Sequence, residues 1–241
     1  MATLVLAIET LGNDWNSFSE LVKQSLIKKQ LKENDSTAAQ IKITEHKQQL
    51  IDKLSLSPLT GQIISLAMYD VERNLGAVYF VSDDSNETFI TDSFTFKSRT
   101  EREILEDFWE GAGAYDTFVT FNGRAFTLPF LYHRSAIQKI KPTVEIARER
   151  SVVRQAFPSH VDLLDEFTFS GAMQSRPALS VLAGAYGVDY QPTVWGARGG
   201  FFLGAKNTPP PRHSKRHYRH HSHPTLQNLA RIFSATSVYK Y

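Results

Sequence analysis

The sequence predicts an α/β protein, a mixed sheet flanked by helices, in one domain spanning residues 1–241. Three observations carry this. Thr117–Phe121 is rich in β-branched and aromatic residues; the Asn122-Gly123 turn and a helix-like apolar pattern follow at once. Gln62–Val71 and Gly76–Val81 read as strands joined by a turn near Glu72-Arg73-Asn74, an antiparallel pair. Thr100-Glu101-Arg102-Glu103 has the hydroxyl and the carboxylate, three positions apart, of a capping box that opens a helix.

Taken in order, Thr3–Ile8 is a compact apolar run that ends in Glu9-Thr10 and then Gly12, a buried first strand. Residues 13–55 turn polar, with Leu21, Val22, Leu26 and Ile27, then Ile41, Leu50 and Leu54, at helical spacing. This predicts two helices parted by Asn34-Asp35-Ser36, inserted between the first and second strands. Ser57-Pro58-Leu59-Thr60-Gly61 is turn chemistry. After the antiparallel pair, Glu87–Phe96 reads as a further strand, and the capped helix runs to about Glu110, before Gly111-Ala112-Gly113. Three antiparallel strands, a helix and a strand able to lie beside the first then complete the sheet. In the helix after Asn122-Gly123, Phe126, Phe130, Leu131 and Ile137 share a face, and Pro129 requires a place in the first turn. Leu179–Tyr186, ending at Gly187, is a short helix.

Composition narrows the classes of function. No apolar run is long enough to cross a membrane and no charged-then-apolar leader opens the sequence, which predicts a soluble, cytoplasmic protein. The absence of cysteine excludes disulfides and thiolate metal sites. A net charge of +2 conceals an asymmetry: eight of the 27 Lys/Arg residues lie beyond Asp189 and none of the 25 acidic residues does. Residues 1–189 therefore carry −6 and the remainder +8. Residues 207–224 form a Pro-, His- and Arg-rich run without apolar periodicity, read as an exposed loop. Its Arg216 and Arg219, with Tyr218 placed to stack, suit a polyanion such as nucleic acid. His213, His217, His220, His221 and His223 could also take a transition metal, adventitiously given their irregular spacing.

Asn122-Gly123-Arg124-x-Phe126-x-Leu128-Pro129-Phe130-Leu131 resembles the second motif of the proofreading-type 3′–5′ exonucleases. These belong to the ribonuclease-H-like DEDD superfamily, and the closest form is the predicted exonuclease related to family B DNA polymerases. Ala7-Ile8-Glu9-Thr10 is similar to the family's opening Asp-Ile-Glu-Thr, and His160-x-Asp162-Leu163 to a later segment. The resemblance covers residues 3–12, about 56–205 and, more weakly, 229–239, and implies a ribonuclease-H-like fold.

It also implies a site. Alternate strand residues share a face, so the family's first motif aims two carboxylates at a pair of divalent metals, Mg²⁺ or Mn²⁺. Here the first acid is replaced by Ala7, the aspartate after Phe126 by Thr127, and no acid follows Asp189 to serve as the third motif's ligand. Glu9 is the visible remnant, a weak metal ligand by itself, so stoichiometric metal binding is not expected. Asp162 or Asp165 is a candidate to rescue one metal site. Thr10, Asn122, Arg124, Phe126 and Arg134 are the residues that resemblance and charge place against a single-stranded DNA or RNA end: arginines on phosphates, Phe126 on the terminal base. Without the motif, Phe126 is a core residue and the arginines are surface ion pairs. Three readings stay open: a catalytically degenerate pseudo-exonuclease that binds nucleic acid, a two-metal exonuclease active or deliberately inactivated, and a scaffold subunit of a nucleic-acid-containing complex.

Overall fold

The computed structural model describes residues 1–30, 47, 49–82, 87–90, 93–146 and 159–188. Within them a seven-stranded sheet is built from β1 (Thr3–Gly12), β2 (Gly61–Asp70), β3 (Leu75–Phe80), β4 (Thr88–Ile90), β5 (Phe94–Ser98), β6 (Thr117–Thr120) and β7 (Ser159–Asp162). The strand order is β4-β5-β3-β2-β1-β6-β7. β1 lies antiparallel to β2 and β2 to β3, as the turn at 72–74 predicts; Asn74 takes the positive φ of 55° that closes it. On its other side β1 lies parallel to β6, and β6 parallel to β7.

The single strand expected over Glu87–Phe96 is a correction: it is two strands, β4 and β5, antiparallel to one another. It is β5 that lies beside β3, in parallel. Phe94 and Phe96 are fully buried whereas Thr88 and Ile90 are exposed, so the segment with two core phenylalanines takes the inner place and the short strand the edge.

Helices cover both faces. α1 (Glu20–Gln30) and a helical stretch over residues 49–53 belong to the insertion, whose Trp15, Leu50 and Leu54 form a small core of their own. The expected break at 34–36 and Ile41 lie outside the described residues. α2 (Glu101–Ala112) begins at the predicted capping box: Thr100 Oγ1 accepts from the Glu103 amide, and the Glu103 carboxylate accepts from the Thr100 amide. It runs through Gly111 to Ala112, two residues beyond the expected stop. α3 (Thr127–Ile137) carries Pro129 in its first turn, where a missing N–H does no harm. α2 and α3 pack on the sheet face bearing Leu4, Leu6 and Ile8, with Trp109 Nε1 donating to Ser135 Oγ at 2.7 Å between the helices. The opposite face, bearing Val5, Ala7 and Val119, is covered by α4 (Leu163–Phe167) and α5 (Leu179–Ala185).

On α3, Phe126, Phe130 and Leu131 are buried as expected, but Ile137 is half exposed. Ile137 is the last residue of the helix, and its buried positions end before it, at Arg134 and Ser135. A buried arginine demands a partner. Its Nε and Nη2 donate to the two Glu101 carboxylate oxygens at 2.8 and 2.6 Å, a bidentate pair. The same carboxylate accepts from the Ile63 amide at 2.7 Å and from Gln138 Nε2 at 3.0 Å. One ion pair thus joins the first residue of α2, the last turn of α3 and the start of β2.

Candidate nucleic-acid site at the carboxyl ends of the strands

The parallel strands β1, β6 and β7 end on the same side of the sheet, the side where α/β proteins place ligands. Val5 pairs with Val119 and Thr120 with Asp162. Ala7 and Glu9 lie on β1 beyond the last of these pairs, toward the turn that follows β6. Ala7 and Glu9 share a face, as their spacing requires, opposite Ala67 and Ser65 of β2. Glu9 is half-buried, and burial pushes its carboxyl up to about 7. Immediately after it, between Glu9 and Thr10, the register with β2 shifts.

The turn after β6 is built around Asp162. One Asp162 oxygen accepts from the Asn122 amide at 2.7 Å and from the Leu164 amide at 3.1 Å; the other accepts from the Arg124 amide at 2.9 Å. Burial works to raise the Asp162 pKa while these three amides work to lower it. Asn122 takes the left-handed φ of 57°, and Gly123 is needed for a different reason: a Cβ there would collide with the Thr120 side chain. Thr120 Oγ1 in turn meets His160 Nε2 at 2.8 Å; burial, and secondarily the Arg124 charge, lowers that imidazole to about 4, so it stays neutral. His160-x-Asp162-Leu163 is therefore a brace: the histidine holds the strand end, the aspartate holds the turn and caps α4.

The other candidates divide. Thr10 is buried and donates its hydroxyl to Ser55 O at 2.7 Å, tying β1 to the insertion rather than facing a ligand. Phe126 is buried against Phe130. Arg134 is committed to Glu101, away from any phosphate. Arg124 stays at the site, a third exposed, with Nε 3.3 Å from Asp165. Asn122 is half-buried, and its Oδ1 accepts from Arg176 Nη2 at 3.2 Å, an arginine the motifs did not single out. An open cleft of about 600 Å³ lies beside the end of β1, lined in part by Asn13, Trp15, Lys47 and Gln62. Arg216, Tyr218, Arg219 and the histidine run lie outside the described residues.

For the metals, the donor set is what counts. Ala7 offers no oxygen, Thr127 only a buried neutral hydroxyl, Asp162 already accepts from three amides, and Asp165 faces Arg124. Among the described residues no group of three or more His, Asp or Glu converges to hold a metal. The described residues therefore do not fit a two-metal centre, which needs several anionic oxygens around each ion. Asp162 and Asp165, the candidates for rescue, serve the turn and Arg124 instead.

A central β1 flanked by antiparallel β2–β3 on one side and parallel β6–β7 on the other, with the candidate site at the carboxyl ends, defines a ribonuclease-H-like α/β protein. Residues 70–189 match the family described as predicted 3′-5′ exonuclease related to the exonuclease domain of PolB. Exonucleases of this kind generally use divalent metals and act on nucleic acid. No curated protein matches the chain.

Proposed function

We propose that the protein is a pseudo-exonuclease: a 3′–5′ exonuclease-like domain that holds a nucleic-acid end without hydrolysing it. The observation that carries this reading is the fate of the acids at the carboxyl ends of β1, β6 and β7. Glu9 is left as the lone carboxylate there without a polar partner among the described residues, and one carboxylate does not hold two metals. The purified chain is expected to leave single-stranded DNA and RNA intact in Mg²⁺ or Mn²⁺. Metal-dependent loss of 3′ nucleotides that disappears in Glu9→Ala overturns the reading. Restoring acids with Ala7→Asp and Thr127→Asp is expected to bring back metal affinity, read by titration calorimetry, before any activity. A double variant as blind to metal as the parent shows that the site is elsewhere.

The affinity for nucleic acid is assigned chiefly to the acid-free residues beyond Asp189, because the preceding part of the chain carries a net −6 and repels phosphates outside a local groove. Binding through such charges falls steeply with salt, depends little on sequence, and strengthens as histidines gain protons below about pH 6.5. Fluorescence anisotropy of the whole chain against one lacking residues 208–223 checks this. Equal affinity with equal salt slope in the deletion moves the interaction to Asn122, Arg124 and the cleft at the end of β1.

A further inference from the structure

We propose that a second cavity, at the opposite end of the sheet from the candidate site, binds a small organic cation: an ammonium group on a short apolar stem. The cavity, about 250 Å³, lies between β1–β3 and α2. Small residues line it at two places: Ala77 on β3, and the exposed Gly111 on α2, where an added Cβ would find nothing within 4 Å. Leu4, Met68 and Phe108 give it apolar walls; Tyr79 and Tyr115 add aromatic ones. That volume is below the usual range for drug-sized ligands and suits a stem of a few methylenes.

The polar lining holds two carboxylates and one cation, Arg73. Asp70, only 7 % exposed, and Asp107 both border the cavity. Asp70 accepts from the Arg73 amide at 2.8 Å and the Tyr115 hydroxyl at 3.1 Å, so two neutral donors hold a buried carboxylate. Its cation is Arg73, whose Nη1 stands 3.4 Å away on a side chain 73 % exposed. A contact that long and that wet is weak, and an arginine in that state is an intramolecular stand-in that a better-fitting cation displaces. Asp107 is paired with Arg99 at 2.8 Å. Both phenols stay protonated: burial foremost, then the Asp70 charge, pushes Tyr115 up to about 12, while burial, then Asp107, raises Tyr79. Arg99 already lies 6.0 Å over the Tyr79 ring, so Tyr115 is the aromatic neighbour left beside the buried carboxylate, surroundings that suit an organic cation.

This site is independent of the nuclease reading, whose failure would not touch it. The test is titration calorimetry of the whole chain with putrescine, spermidine and agmatine, against butanol as the neutral control. Saturable one-to-one binding of an amine, absent for butanol, is expected. Asp70→Asn should weaken it at least tenfold, and Gly111→Leu, which fills the cavity from a helix surface with room for the side chain, should abolish it. Arg73→Ala should tighten it several-fold by removing the stand-in, a change that a merely structural Arg73 would not produce. Absence of saturable amine binding by the folded wild-type chain overturns the proposal, as does binding indifferent to Gly111→Leu and Arg73→Ala. Preference for agmatine over putrescine would identify a guanidinium rather than an ammonium as the head group.

Discussion

Replacing Arg134 by methionine is expected to cost the fold about 3–5 kcal/mol, the usual result of leaving a buried charge without its partner. The reason lies in what Glu101 does. Its carboxylate takes two guanidinium N–H groups, the Ile63 amide and the Gln138 side chain, so it anchors α2, α3 and β2 at one point. Arg134→Met leaves that carboxylate buried with neutral donors alone. Glu101→Ala should lie at the upper end of the range, since it strands the guanidinium and orphans the Ile63 amide together. Glu101→Gln with Arg134→Met removes both charges but keeps an oxygen for Ile63, and should recover part of the loss. Urea denaturation midpoints for the four chains decide it. A loss below about 1 kcal/mol for Arg134→Met would mean that the pair behaves like an exposed one.

Stability is also expected to fall as pH rises from about 4.5 to 7, by up to about 3 kcal/mol from Glu9 alone. In the unfolded chain this carboxyl ionises near its ordinary 4.5; in the folded chain it keeps its proton to about 7. Below pH 4.5 both states are protonated and Glu9 contributes no difference. Between the two values the unfolded state binds fewer protons, so stability declines with pH, and above 7 the deficit is constant. Other groups titrate in this range, so the measurement is the difference between wild type and Glu9→Gln. That variant should gain on wild type from pH 5 to pH 8, with no further gain above. Parallel pH profiles would mean that water reaches Glu9 and that its carboxyl is not raised.

Much of this fold is legible from local chemistry. The capping box at Thr100 and Glu103, the turn at Asn74 and the helix after Asn122-Gly123 follow from residue types within a few positions of one another. What escapes is set by partners far along the chain. Nothing local announces that Arg134 is buried, because its reason is Glu101, 33 residues away. The parallel pairing of β5 with β3 depends on which of two neighbouring segments better fills the core beside Tyr69 and Phe80. At the site, the motif spacing places Ala7, Glu9, Asn122 and Thr127 at one end of the sheet, and the missing acids are plain in the residue letters. The roles of His160 and Asp162 are legible only once β7 is seen beside β6. A histidine and an aspartate near a suspected metal site invite a catalytic reading; the histidine meets the Thr120 hydroxyl and the aspartate holds three backbone amides.

The Asp162 brace has an evolutionary corollary. The turn that presents Asn122 and Arg124 is fixed by a carboxylate bound to three amides, with no metal needed to hold it. Selection for a folded chain therefore bears on Asp162, whereas selection for chemistry would bear on positions 7 and 127. The two pressures fall on different residues. A lineage released from nuclease duty could drift at 7 and 127 with little penalty in folding, and its architecture would outlast its original trade. On the pseudo-exonuclease reading proposed above, Ala7 packed against the core and Thr127 buried at the head of α3 are what such drift would leave behind. The same separation means that acids reintroduced at 7 and 127 would meet a frame already in position.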